Sequence, residues 1–257
     1  MPQLKSFVNP RKVAGRIRRQ LDRRSVRDID VRGVLVRMET RARRERERVD
    51  AYLTKEPGTL DWIDGVVKSG DVFFDVGANI GQYGLYAALK TGGMLTVRCF
   101  EPEAANYEAL NRNITLNALS GSTTAYLVAL SDEMKLGAMH LSGAAEAGGA
   151  LHQLDRMAEN DSGRTQGVVA IALDMLIYEL GLPCPTHMKV DVDGHEESIV
   201  RGAGRLLADV RLQSVLIEVN EGDDAIRQAF LSNGFTVEDE RSSAVGSASV
   251  NVVFQRL

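Results

Sequence analysis

The chain predicts an α/β fold: a mostly parallel sheet with helices on both faces, preceded by a helical extension. From about Leu60, short apolar runs alternate with amphipathic stretches, the pattern of repeated strand–helix units. The run Val72, Phe73, Phe74, Val76 stops abruptly at Gly77 and Gly81, as a buried strand does when it turns into a helix. At 257 residues, 44% of them hydrophobic, the chain can bury one sizeable core and carry an appendage.

Taken in order, strands are expected at 71–76, 94–100, 122–130, 186–192, 213–219, 235–239 and 249–256. These seven are interleaved with helices at 60–69, 79–90, 103–118, 173–181, 195–207 and 222–233. Residues 141–167 break the alternation and are rich in Gly, Ala, Ser and polar residues. A loop of that length in a compact domain reads as a substrate-covering segment or as disorder. In a parallel sheet, ligands bind beyond the carboxyl ends of the strands, so functional residues should follow strands directly.

The first 57 residues stand apart, as a basic helical N-terminal extension before a domain at 58–257. Residues 1–50 hold 14 Arg and 2 Lys against 7 acids, although the whole chain is at −4. Val13, Ile17 and Leu21 recur at helical spacing, as do Val34, Leu35 and Met38, which predicts two basic amphipathic helices broken near Asp28–Gly33. Their arginines suit a solvated face packed on the domain or on a second subunit. They also suit contact with an anionic membrane surface or an acidic glycan. Nucleic acid is not expected, because no aromatic residue interleaves the arginines and the remaining chain is acidic. No run approaches a membrane span, and Met1–Pro10 lacks the apolar core of an export signal. Cys99 and Cys184 read as reduced thiols of a cytoplasmic protein.

The chemistry begins at residues 71–81. Glycine at a strand tip lets backbone approach a ligand, and the next helix would aim its positive end at the same point. Twenty residues beyond Gly81, the run Met94–Phe100 ends on Glu101, placed to accept hydrogen bonds from a ribose diol. The glycine spacing departs from the Gly-x-Gly-x-x-Gly dinucleotide fingerprint. A ligand met by Asp75 and Glu101 should be cationic or neutral there, and S-adenosylmethionine fits.

Three segments in order then resemble the FkbM-type S-adenosylmethionine-dependent methyltransferases. They are Gly70 to Gly81; Phe100-Glu101-Pro102 with Asn106, Leu110 and Asn113; and Met188 to Glu196 with Gly202-Ala203. The resemblance covers roughly residues 58–257 and implies a Rossmann-like seven-stranded methyltransferase sheet with a reversed last strand. It implies methyl transfer mainly to a hydroxyl oxygen. By position, Asp75, Gly77, Ala78, Asn79 and Gly81 would surround the methionine part of the cofactor. Glu101 and Asn106 would hold its ribose, and the Leu130-Ser131-Asp132 turn would border adenine. Asp193 stands where the family usually has Glu.

An alcohol must lose its proton as methyl arrives, so a base or a metal helps. Asp191, Asp193, His195 and Glu196 cluster at or after the fourth strand; His195 is the first choice for general base, while His195 and Glu196 could instead cap a helix. Lys189 shares a face with Asp191 and could pair with a carboxylate. Glu218 and Asn220 end the fifth strand and, with Asp191, form a loose oxygen set for Mg²⁺, the less favoured expectation. His140 and His152 flank the long loop and could reach substrate; His187 and Trp62 read as structural. The leading expectation is an O-methyltransferase acting on a sugar, glycan or secondary metabolite. An NAD-dependent oxidoreductase and a non-catalytic cofactor-binding module are the alternatives, and association into a homo-oligomer stays open.

Overall fold

The architecture comes from a computed structural model, which describes residues 25–142, 146–150, 152–154, 161–220, 222, 224–242 and 249–256. Seven strands form the main sheet, in the order Phe235–Ser242, Ser249–Arg256, Ser214–Asn220, His187–Val190, Val72–Val76, Thr96–Phe100, Thr123–Tyr126. Its parallel part comprises β3 (Val72–Val76), β4 (Thr96–Phe100), β5 (Thr123–Tyr126), β10 (His187–Val190) and β11 (Ser214–Asn220). Against β11 runs β13 (Ser249–Arg256) in antiparallel register, and β12 (Phe235–Ser242) closes the edge. All seven expected strands are present, and the reversed last strand is β13.

Helices α2 (Pro57–Val66), α3 (Gln82–Lys90) and α4 (Ala104–Leu116) contribute to one apolar cluster, with Leu60, Ile63, Leu85 and Leu110 packed around Phe73 and Val97. On the other face, α5 (Leu173–Tyr178), α6 (Glu196–Arg201), α7 (Gly204–Ala208) and α8 (Asp224–Ser232) enclose Phe74, Val190 and Ile217. The single helix expected at 195–207 is two. Gly202 separates them, and a Cβ there would overlap the Ser131 carbonyl oxygen, so the chain needs glycine where it passes that strand end.

Two expectations change. The first 24 residues, with Val13, Ile17 and Leu21, lie outside the described set. Residues 34–38, however, are not helical. Strands β1 (Val26–Val31) and β2 (Val34–Glu39) form a hairpin, and α1 (Arg43–Asp50) is the described helix of this segment. Arg32 and Gly33 both sit at positive φ (54° and 83°), as a two-residue hairpin turn requires, and Asp30 accepts from the Gly33 N–H at 2.6 Å. The inward residues are Val36 and Met38, with period two; Val34, Leu35 and Met38 also fit a helical spacing, so the sequence of this run is compatible with both elements. The hairpin docks on α4 through side-chain amides. Asn113 and Asn117 accept from the Glu39 and Arg37 N–H groups, both at 2.9 Å.

The second change concerns 141–167. Much of it is strand: β7 (Lys135–Ser142), β8 (Gln153–Leu154) and β9 (Asp161–Ala172) join β6 (Ala129–Ser131) in a second sheet, ordered β6-β9-β7-β8. Met139 and Leu141, and Val168 and Ala170, face its small core with a period of two, in strands that flank the glycine-rich composition and extend into it. The expected strand at 122–130 is likewise divided, its two parts belonging to different sheets.

Candidate active site

Beyond the carboxyl ends of β3, β4 and β10 lie two adjoining cavities. The polar one is bordered by Gly77, Asn79, Glu101 and Asn106 on one side and by Asp191 and Asp193 on the other. The apolar one is walled by Phe100, Val128, Leu130, Leu154 and His195. Gly77, Pro102, Met139, His152 and Val192 border both, so the two halves form one bipartite cleft.

The loop after β3 follows from local backbone needs. Gly77 has φ 75°, and a Cβ there would overlap the Asp191 carbonyl oxygen. Glycine is thus required by the close approach of two strand ends, a different reason from the ligand contact expected from sequence. Every backbone N–H from Gly77 to Gly81 is already committed. Gly77 and Ala78 donate to the Phe100 carbonyl (3.0 and 3.1 Å), Asn79 to Glu101 Oε2 (2.7 Å), Ile80 to the Asn79 side chain (3.0 Å) and Gly81 to the Ala78 carbonyl (2.8 Å). The start of α3 is held by Asp75, whose Oδ2 accepts from the Gly84 N–H at 2.8 Å. This turn is therefore no anion cradle.

Glu101 is buried at the hinge of the cleft. Besides Asn79, it accepts from the Glu103 N–H at 2.9 Å, and the Asn106 amide approaches at 3.4 Å. Burial nevertheless dominates and raises its pKa to about 7. The segment 146–150 crosses this spot. Asn79 and Asn106 donate to the Gly149 carbonyl (2.5 and 3.2 Å), Asn106 accepts from the Gly148 N–H (2.7 Å), and Arg48 Nε donates to the Gly148 carbonyl (2.7 Å).

Under the opposite wall, Lys189 is 1% exposed and donates to Asp191 Oδ2 at 3.0 Å, the pairing its spacing suggested. Burial opposes the Lys189 charge, but Asp191, Glu56 and Asp75 outweigh it and keep its pKa above the usual lysine range. Burial also opposes charge on Asp191, yet Lys189 and Lys55 hold its pKa well below the carboxylate norm. Asp75 is raised by burial, partly offset by Lys189. Glu218 accepts from the Ser249 hydroxyl. Among the described residues, no group of three or more His, Cys, Asp or Glu gathers as a metal site.

The turn after β10 separates its candidates. Asp193, at φ 57°, lines the polar half. Glu196 points back and accepts from the Val192 and Gly194 N–H groups (3.1 and 3.0 Å), closing the turn; burial raises its pKa to about 7. His195 faces the apolar half, with Nε2 accepting from the Leu154 N–H at 3.2 Å. His152 accepts from the Ser142 N–H through Nδ1 at 3.1 Å, so its neutral ring carries the proton on Nε2. Burial lowers its pKa.

Gly77, Asn79, Glu101, Asn106, Leu130, Asp191, Asp193 and His195 thus border the cleft as the sequence suggested. Asp75, Ala78, Gly81, Ser131, Lys189, Glu196, Glu218 and Asn220 are not among the residues bordering it. Ser131 lies beside Ser198 at 3.2 Å, and Gly81 packs against Leu110. Arg48, Lys55, Met139, Gly149 and Ala150 were missed, because no strand end announces them.

Residues 75–237 match the Methyltransferase FkbM domain family. The 31-O-demethyl-FK506 methyltransferase FkbM of Streptomyces tacrolimicus is 28% identical over 218 residues, spanning 74% of this chain and 82% of that protein. The hexuronic acid methyltransferase AglP of Haloferax volcanii is 27% identical over 157 residues, and the aligned part spans 60% of this chain and 58% of that protein. A crystal structure of methyltransferase FkbM from Methylobacillus flagellatus superposes with a TM-score of 0.50 at 16% identity, spanning 73% of this chain and 44% of that one, a likeness of fold. Among the described residues, no helix is long and apolar enough to cross a membrane. With strand order, strand-end acids and the matched region in agreement, the chain belongs to the FkbM family of methyltransferases.

Proposed function

We propose that the protein transfers a methyl group from S-adenosylmethionine to a hydroxyl of a sugar, glycan or secondary metabolite. The observation that carries the methyl donor is the bipartite cleft combined with a turn whose five N–H groups are all engaged. A pyrophosphate would find no unclaimed N–H between Gly77 and Gly81, which argues against a dinucleotide cofactor. The charged residues bordering the polar half are three carboxyls, Glu101, Asp191 and Asp193, against two cations, Arg48 and Lys55. S-adenosylmethionine carries the complementary set, an ammonium and a sulfonium against one carboxylate. Its chemistry, once bound, is an electrophilic methyl on sulfur.

The residues divide the work. Glu101 and Asn106 suit the ribose hydroxyls, and the apolar half, with Phe100 and Leu130, suits the base. Asp191, kept ionised by Lys189, faces cationic groups. Both histidines already use the lone pair of one ring nitrogen on a backbone N–H. We therefore give proton acceptance from the hydroxyl to Asp193, and not to His195 as the sequence suggested. Hydroxyl as acceptor follows the relative named for a 31-O-demethyl substrate; a sugar follows the relative named for hexuronic acid.

Calorimetric titration tests the methyl donor: S-adenosylmethionine should bind with a stoichiometry near one and NAD should not, and the reverse would sink the reading. Asp193→Asn should then lower kcat on an identified acceptor by about 10²-fold or more, leaving the affinity for the methyl donor intact.

A further inference from the structure

We infer that Lys55, which precedes the family-matched region, is the residue that reads the carboxylate of the methyl donor. The inference rests on the donor proposed above. The polar half of the cleft extends from Glu101 after β4, across Gly77 after β3, to Asp191 after β10. Two strand spacings separate its ends, roughly 10 Å. With the ribose at Glu101, the amino-acid head falls beside Asp191. That head is a zwitterion, so it needs an anion and a cation together.

Asp191 supplies the anion, and two cations border this half. Arg48 spends two of its five N–H groups on the 146–150 segment and is tethered there: Nε donates to the Gly148 carbonyl at 2.7 Å, and a terminal nitrogen lies 3.5 Å from the Gly149 carbonyl. Lys55 differs. Its ammonium pairs with Glu56 at 2.7 Å and is near enough to Asp191 to depress that carboxyl. An ammonium has three N–H donors, so one carboxylate partner leaves capacity for another. The side chain is 47% exposed, at the mouth of the cleft, and can adjust to an arriving ligand. No strand–glycine motif foreshadows it; α1 and the Tyr52 hydroxyl, which donates to the Gln82 carbonyl, bring this stretch over the loop.

The test uses the full chain, calorimetry, and two ligands that differ only in the carboxylate: S-adenosylmethionine and its decarboxylated analogue. For the native protein the analogue should bind about tenfold or more weakly, the scale of one charge-assisted hydrogen bond. In Lys55→Met that ratio should collapse towards one, because S-adenosylmethionine weakens while the analogue does not. Lys55→Arg should restore part of the ratio. An unchanged ratio in Lys55→Met overturns the inference and leaves Lys55 to the acceptor. If the native protein binds neither ligand, the proposed methyl donor itself is wrong and the inference falls with it. Circular dichroism of each variant secures the comparison, and Lys55→Gln replaces Lys55→Met should the latter misfold.

Discussion

The two edges of the parallel sheet, at the amino and the carboxyl ends of its strands, carry similar residues and have different fates. At the amino ends of β3, β10 and β11, Asp71, His187 and Ser214 form a chain. His187 lies 3.3 Å from Asp71 through Nε2 and 2.8 Å from the Ser214 hydroxyl through Nδ1. The order Asp–His–Ser resembles a hydrolytic triad. Yet Ser214 is 0% and His187 3% exposed, and Trp62 seals them, donating to Ser214 at 3.2 Å and packing edge-on against the imidazole. At the carboxyl ends, Glu101, Asp191 and Asp193 border open space. Residue type alone does not make a site; access does, and a nucleophile no substrate can reach is a structural hydroxyl.

The largest effect should come from unsealing the closed end. Trp62→Ala removes a buried indole and should cost about 3–5 kcal/mol in urea unfolding, while the folded fraction binds the methyl donor as before. A matching loss of ligand affinity would break the contrast. At the open end the pattern should invert. Glu101→Gln should weaken S-adenosylmethionine about 100-fold, about 2.7 kcal/mol, with a much smaller shift of the urea midpoint than Trp62→Ala. Ser214→Ala is smaller still, about 1 kcal/mol for the hydrogen bonds removed, with unchanged turnover. Abolished activity would revive the triad.

The smallest effect is one of sign. Burial lowers the pKa of His187, so its folded value lies below the unfolded one. Its contribution is present above about pH 6.5 and is lost as the medium acidifies. Glu101 and Glu196 act oppositely: burial raises both to about 7, so their contribution grows as pH falls from about 7 towards the ordinary glutamate value. Between pH 7.5 and 5, His187→Asn should lose less stability than the native protein, and Glu196→Gln more. Urea midpoints of both variants at the two pH values decide this; shifts in one direction would show that the two ends do not differ.

Much of the cleft was legible because strand ends are local events. An apolar run that meets glycine, or an acid at or just after its end, marks a site whatever packs around it; Glu101, Asp191 and Asp193 were found that way. The hairpin at 26–39 was not, because Val34, Leu35 and Met38 fit a helical period while Val34, Val36 and Met38 fit a period of two, and only burial of Val36 and Met38 against the domain decides between them.

Sequence alone therefore determined where the strands of the main sheet fall along the chain, the acids at the strand tips and the family resemblance, since each rests on short-range pattern and spacing. Tertiary structure decided which of those acids border space and which, like Glu196, close a turn. It also brought Lys55, Arg48 and Gly149 to the cleft from far along the chain. Such convergence depends on how separate elements pack, and no local spacing records it.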